Sequence, residues 1–160
     1  MTRIRFEAMA TDVARGYQTG GLDAYGRPPE RRTADGNGQF RVPCRHCLAD
    51  VAVGEEYLIV AHRPFTTLHP YTETGPIFLH ARACERYQAT GDTPDMLRRS
   101  SQMIVRGYSA DERIVYGTGA VVATDRIAEA AAALLARDDV AFVHVRSATN
   151  NCFQCRIDRG

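Results

Sequence analysis

Short apolar stretches recur along the chain, each closed off by Gly, Pro, Asn or Asp. Residues 56–62 (EYLIVAH) and 76–80 (PIFLH) are apolar runs of strand length on either side of a proline-bounded loop. Residues 3–6 (RIRF) predict a short strand, and Met9, Val13 and Tyr17 then fall at helical spacing. ARACERYQA (81–89) predicts a helix that TGDTP ends. QMIVRGY and ERIVYG predict two strands around the turn SAD, with AVVA continuing the second after a Gly-rich bend. The clearest helix is predicted over 125–137: Thr124 stands at its N-cap, Ile127, Ala131, Leu134 and Leu135 form its apolar stripe, and Arg137 lies in its last turn. VAFVHVRS and CFQCRID predict a final hairpin around ATNN.

These elements define an α+β chain. A mainly antiparallel sheet, with four strands from residues 102–116 and 140–157, carries one long amphipathic helix, and a zinc-knuckle segment precedes it. Between residues 18 and 41 the chain is rich in Gly, Pro and charge and poor in large apolar side chains. That composition predicts a flexible polar loop with little buried area, so residues 1–41 are expected to be an N-terminal segment and loop and residues 42–160 a single domain.

Composition narrows the function classes. The 160 residues are 44% hydrophobic and 24% charged, an ordinary globular balance. All 20 basic residues are Arg, and the formal net charge is +1, so no global field steers the chain to nucleic acid or an anionic membrane. No apolar run approaches the roughly 20 residues of a membrane helix, and the start lacks a secretory core. Five cysteines, an odd number, with no export signal predict reduced thiols and a cytoplasmic location.

Four residues have the chemistry of one tetrahedral zinc: Cys44, Cys47, His80 and Cys84. The two-residue gap in VPCRHCL lets a tight turn aim both sulfurs inward, and His80 and Cys84, four apart at the start of the predicted helix, would share one face. Three thiolates and an imidazole would leave no position open to water, so the zinc is structural. The bland alternative is that Cys84 packs in the core, His80 ends a strand, and the CxxC is coincidental. A second set is Cys44, Cys47, Cys152 and Cys155, if NNCFQC forms a knuckle. Alternation of Phe153, Cys155 and Ile157 with polar neighbours instead predicts a strand with Cys155 in the core and Cys152 on the other side. A redox pair would need a helix after PCRHC, where Gly54 and two valines argue against one. GTG at 117–119 lacks the helix of a phosphate loop and predicts a bend. His144 and Arg146 share a strand face and could bind an anion, or be structural. No catalytic constellation is present in sequence.

VPCRHCL, GEEYLIVAHRPF, PYTETGPIFLHARACERY, RGYSADERIVYG and VAFVHVRSATNNCF together resemble the bacterial proteins grouped as domain of unknown function 1203, over roughly residues 40–158. The segments that recur in that family correspond to Pro43-Cys44-Arg45, Pro70-Tyr71 with Ile77-Phe78, and Cys152-Phe153. The resemblance implies no activity, substrate or catalytic residue. Two functions remain open: a zinc-stabilised cytosolic binding or accessory module whose partner is a small molecule or a protein, or an enzyme using a cleft that joins Cys44, Cys152, His144 and Arg146. Oligomeric state is not legible.

Overall fold

A computed structural model describes residues 1–37 and 41–160. In chain order the elements are β1 (Ile4–Glu7), α1 (Thr11–Gln18), β2 (Glu30–Thr33), β3 (Glu56–His62), β4 (Gly75–His80), α2 (Asp95–Arg98), β5 (Gln102–Tyr108) and β6 (Ala120–Ala123). A 3-10 turn (Thr124–Arg126), α3 (Ile127–Leu135), β7 (Phe142–Ser147) and β8 (Phe153–Arg159) follow. The chain forms two compact units. One comprises Met1–Glu7, Phe65–Thr72 and Gln88–Gly160, the other Ala8–Pro64 and Glu73–Tyr87.

The first unit is a five-stranded antiparallel sheet in the order β1-β8-β7-β5-β6. Cross-strand partners share a face, so Phe6, Ile157 and Val143 line up, as do Cys155, Val145 and Val105. All six are buried, and α3 packs across β5, β7, β8 and β1 with Ile127, Ala131, Ala132 and Leu135 inward. The opposite face carries Tyr108, Phe142 and His144, with Phe65 packed on them. Segment 65–72 is fixed to this unit by Glu112, whose buried carboxylate accepts the Thr66 amide (2.9 and 3.0 Å) and the Thr66 hydroxyl.

Two expectations change here. The helix expected over 125–137 is shorter, a 3-10 turn followed by the nine residues of α3. Thr124 does not cap it, because its hydroxyl donates to the Ser100 carbonyl. At the other end the Arg159 guanidinium takes the carbonyls of Leu135 (3.0 Å), Arg137 (3.0 Å) and Val140 (2.7 Å), which closes the helix early. The turn expected around SAD closes, with the Ser109 amide on the Arg113 carbonyl (2.9 Å) and the Val115 amide on the Gly107 carbonyl (3.0 Å), but no strand forms over ERIVYG. Glu112, at this turn, adopts a left-handed φ of 64° and turns its side chain to Thr66, and the pairing beyond it is limited to the bridge of Ile114 with Tyr108 and its flanking hydrogen bonds. The partner of β5 is β6 instead, after a turn at Gly117 with φ 88°. Residues 102–116 and 140–157 thus supply three strands, and β1 and β6 complete the sheet.

The second unit is a three-stranded antiparallel sheet, β2-β3-β4, with α1 against its core. Tyr57, Leu58 and Val60 of β3 and Ile77 and Leu79 of β4 are buried with Ala14 of α1 and Val42, Cys44 and Val51. The expected loop over 18–41 contains β2, whose register runs Glu30 with Ile59 to Thr33 with Glu56, and Ala34 beyond it is buried. Residues 38–40 of that loop lie outside the described residues. A strand reading ERRT has no apolar alternation, so only backbone pairing reveals it.

Candidate metal centre

Residues 42–51 form a tight hairpin that presents two cysteines. Pro43 bridges Asp50, the Cys44 amide donates to the Ala49 carbonyl (3.0 Å), and the Leu48 amide returns to the Cys44 carbonyl (2.9 Å). Closing the turn puts Leu48 at φ 53°, a left-handed conformation costing a branched residue about 1–2 kcal/mol. Cys44 also bridges Phe78 in parallel, and the Arg45 amide donates to the Phe78 carbonyl (3.0 Å). The hairpin therefore lies along the edge of β4, two residues from His80 at its end.

Cys84 arrives differently from expectation. No helix forms over 81–89; the segment after Ala81 and Arg82 is irregular. Side chains of α1 occupy the carbonyls a helix would have used. Gln18 Nε2 donates to the carbonyls of His80 (2.9 Å) and Arg82 (3.1 Å), and Arg15 donates to that of Cys84 (2.8 Å). His80 and Cys84 meet because α1 braces an irregular segment, and their four-residue spacing on a helix has no part in it.

The result gathers Cys44, Cys47, His80 and Cys84, with one ligand atom from each lying within 4.8 Å of all the others. Cys44 Sγ is 3.9 Å from Cys84 Sγ, and Cys47 Sγ is 3.5 Å from His80 Nδ1. A tetrahedral ion with metal–sulfur bonds of about 2.3 Å and a metal–nitrogen bond of about 2.05 Å separates two sulfurs by about 3.8 Å and sulfur from nitrogen by about 3.55 Å. Both observed edges fall within about 0.15 Å of those lengths, so the cluster is compatible with a metal site.

Electrostatics point the same way. Hydrogen bonds from Cys47 and Cys84 hold the buried Cys44 thiol below its ordinary range, while its bond to Cys44 is the main reason the Cys47 thiol is pushed up. Bonding to the sulfurs of Cys44 and Cys84 raises His80 to about 10. Without an ion the cluster thus favours a Cys44 thiolate beside a protonated His80 while Cys47 keeps its proton, and a metal would take the place of the protons that the donors share. Behind His80, its Nε2 lies 3.6 Å from the Glu55 carboxylate, which also pairs with Arg82 at 2.9 Å. The Arg82 guanidinium holds the Glu55 carboxyl below its usual range. A carboxylate behind a histidine fixes the ring so that Nδ1 faces the other three donors. The backbone N–H of His80 donates to Cys44 Sγ at 3.4 Å.

The remaining candidates are elsewhere. Cys155 is buried under α3 in the sheet of the first unit, and Cys152, partly exposed, stands in the turn before β8. Cys44 and Cys47 belong to the second unit, so the alternative set Cys44, Cys47, Cys152 and Cys155 divides between units, and no grouping among the described residues includes it. The cleft envisaged for Cys44, Cys152, His144 and Arg146 divides in the same way. His144 is 1% exposed, with its ring 4.7–5.3 Å from those of Phe65, Tyr108, Phe142 and Phe153. Arg146, also buried, donates to the Asn151 carbonyl at 3.0 Å. Residues 45–47 form a turn and not the first turn of a helix, which removes the feature a reactive redox pair relies on.

Sequence reasoning missed His46, which lies inside the CxxC. Its ring is fully buried, with Nδ1 3.2 Å from Cys84 Sγ and Nε2 3.0 Å from Thr11 Oγ1, and burial pushes its pKa down. Glu55 and Gln18 were also missed, since neither stands near a ligand in a recognisable motif.

An α+β protein with a Cys3His cluster held between a knuckle, a strand end and an irregular segment is the class that fold and site define. Residues 41–159 match the profile of a family described as protein of unknown function (DUF1203), and the chain belongs to that family. No curated protein and no solved structure matches it.

Proposed function

We propose that this protein is a zinc-stabilised binding or accessory module, with one structural zinc held by Cys44, Cys47, His80 and Cys84. The observation that carries the reading is the gathering of three sulfurs and one imidazole nitrogen within 4.8 Å of one another, with the Cys44–Cys84 and Cys47–His80 edges close to tetrahedral lengths. Three thiolates select a soft or borderline ion over magnesium or calcium, and four protein ligands close the coordination sphere. Zinc is worth on the order of 10–16 kcal/mol to finger peptides at neutral pH. Whole domains are stable by only about 5–15 kcal/mol. Metal of that strength decides whether the second unit keeps its fold, since Cys44 is part of that unit's core. Among the described residues no helix is long and apolar enough to cross a membrane. The reading places the protein in a reducing compartment such as the cytoplasm, with a small molecule or another protein as partner.

The test is metal content after purification under reducing conditions without an affinity metal. About one zinc per chain is expected. Cys47→Ser or Cys84→Ser abolishes stoichiometric zinc and His80→Ala weakens it, while Cys155→Ser leaves it intact. Wild-type protein without metal overturns the reading.

A further inference from the structure

The four-ligand set leaves His46 without a role, although it is the largest polar side chain at the centre with no exposure at all. Each ring nitrogen has a partner, Cys84 Sγ for Nδ1 and the Thr11 hydroxyl for Nε2. We propose that His46 is a positioning residue of the metal centre: its Nδ1–H donates to the Cys84 thiolate, and Thr11 fixes the required tautomer by donating its hydroxyl to Nε2. This rests on the zinc reading.

The directions of the bonds follow from proton counting. Cys84 bound to a metal is a thiolate with no proton to give, so across 3.2 Å the imidazole must be the donor. A neutral imidazole has one N–H; once Nδ1 carries it, Nε2 can only accept, and a hydroxyl is the partner that can supply a proton. His46 is outside the group of four donors whose ligand atoms all lie within 4.8 Å of one another, and four donors complete a tetrahedral zinc sphere.

The arrangement has an electrostatic purpose. Zinc with three thiolates and a neutral histidine carries a net charge of −1, and a donor to sulfur spreads that charge in a buried setting where unpaired charge is costly. The His80 amide does this for Cys44, at 3.4 Å. His46 does it for Cys84. Helix α1 thereby holds Cys84 at two points, its carbonyl through Arg15 and its sulfur through Thr11 and His46. Partners of this kind typically change metal affinity about 10–100-fold when removed.

The experiment loads the full chain with Co²⁺ in place of zinc and reads two quantities: affinity in competition with a chelator, and the energy of the sulfur-to-cobalt charge-transfer band. A hydrogen bond to a thiolate lowers the energy of its lone pairs, so losing one moves the band to longer wavelength. His46→Leu is expected to keep one metal per chain, weaken it about 10–100-fold and red-shift the band. Thr11→Val should act in the same direction but less, and Thr11→Ser should restore both readouts. His46→Asn, whose amide can stand where Nδ1–H stood, should recover part of the loss. Thr11 is exposed at the start of α1, so its two variants decide the matter even if His46→Leu fails to fold. Normal metal binding by wild type, with affinity and band unchanged in Thr11→Val and His46→Leu, overturns this proposal and leaves the zinc reading standing. Failure of wild type to bind Co²⁺ or zinc overturns both.

Discussion

The side-chain amide of Gln18 holds the main-chain carbonyl of His80 at 2.9 Å, so the last residue of α1 fixes the backbone of a metal-ligand candidate 62 positions away. The same amide reaches Arg82. Without it two carbonyls beside the cluster would have to find water. Gln18→Ala is expected to cost about 1–2 kcal/mol of stability and to weaken metal binding without changing its stoichiometry. Chelator competition alongside thermal melts checks this; unchanged affinity would mean that β4 alone positions His80.

Glu55→Gln removes the charge behind His80 and keeps the shape. Metal affinity should fall by about tenfold, the low end of the range for such partners, because 3.6 Å is longer than a direct hydrogen bond. Arg82→Ala, which frees Glu55 for His80, should leave affinity unchanged or raise it. A larger loss in Arg82→Ala than in Glu55→Gln would contradict the assignment.

The pH dependence of stability carries a signature from His62. Burial, and secondarily the charge of Arg45, lower its pKa from 6.5 to about 4, and its Nδ1 lies 3.1 Å from the Tyr17 hydroxyl. Between those two values the unfolded chain binds a proton that the folded chain refuses. Stability therefore falls as pH drops from about 6.5 toward 4 and this contribution levels off below. The difference is worth on the order of 3 kcal/mol at 1.36 kcal/mol per unit. His62→Phe should flatten that part of the curve relative to wild type in denaturant melts at matched metal loading. An identical slope in the two proteins would show that His62 takes up its proton in the folded state.

Thiol reactivity separates the cysteines of the first unit. Cys155, 1% exposed between Val145 and α3, should resist alkylation until the unit opens, whereas Cys152 should react readily. Mass spectrometry of briefly alkylated native protein gives the order, and early labelling of Cys155 would mean that the sheet is looser than its packing indicates.

Sequence periodicity revealed the elements whose apolar pattern is dictated by burial. EYLIVAH, PIFLH, VAFVHVRS and CFQCRID became β3, β4, β7 and β8, and the Ile127–Leu135 stripe became α3. It failed where tertiary partners overrule local pattern. ERRT is polar throughout yet pairs with β3, and the stretch after Glu112, whose side chain reaches Thr66, keeps one bridge to β5 and forms no strand. ARACERYQA has helical spacing, but Arg15 and Gln18 capture its carbonyls. That Cys44, Cys47, His80 and Cys84 cluster was legible because cysteine and histidine chemistry is specific to residue type. His46, Glu55 and Gln18 were not, since a supporting side chain is recognised only by what it touches.

The central claim is that one zinc sits among Cys44, Cys47, His80 and Cys84. X-ray absorption at the zinc edge of the reduced wild-type protein measures that sphere directly. Three sulfurs at about 2.3 Å and one imidazole nitrogen at about 2.0–2.1 Å are expected, with the nitrogen contribution lost in His80→Ala. A four-sulfur shell, a shell dominated by oxygen, or an imidazole signal that survives His80→Ala would contradict it.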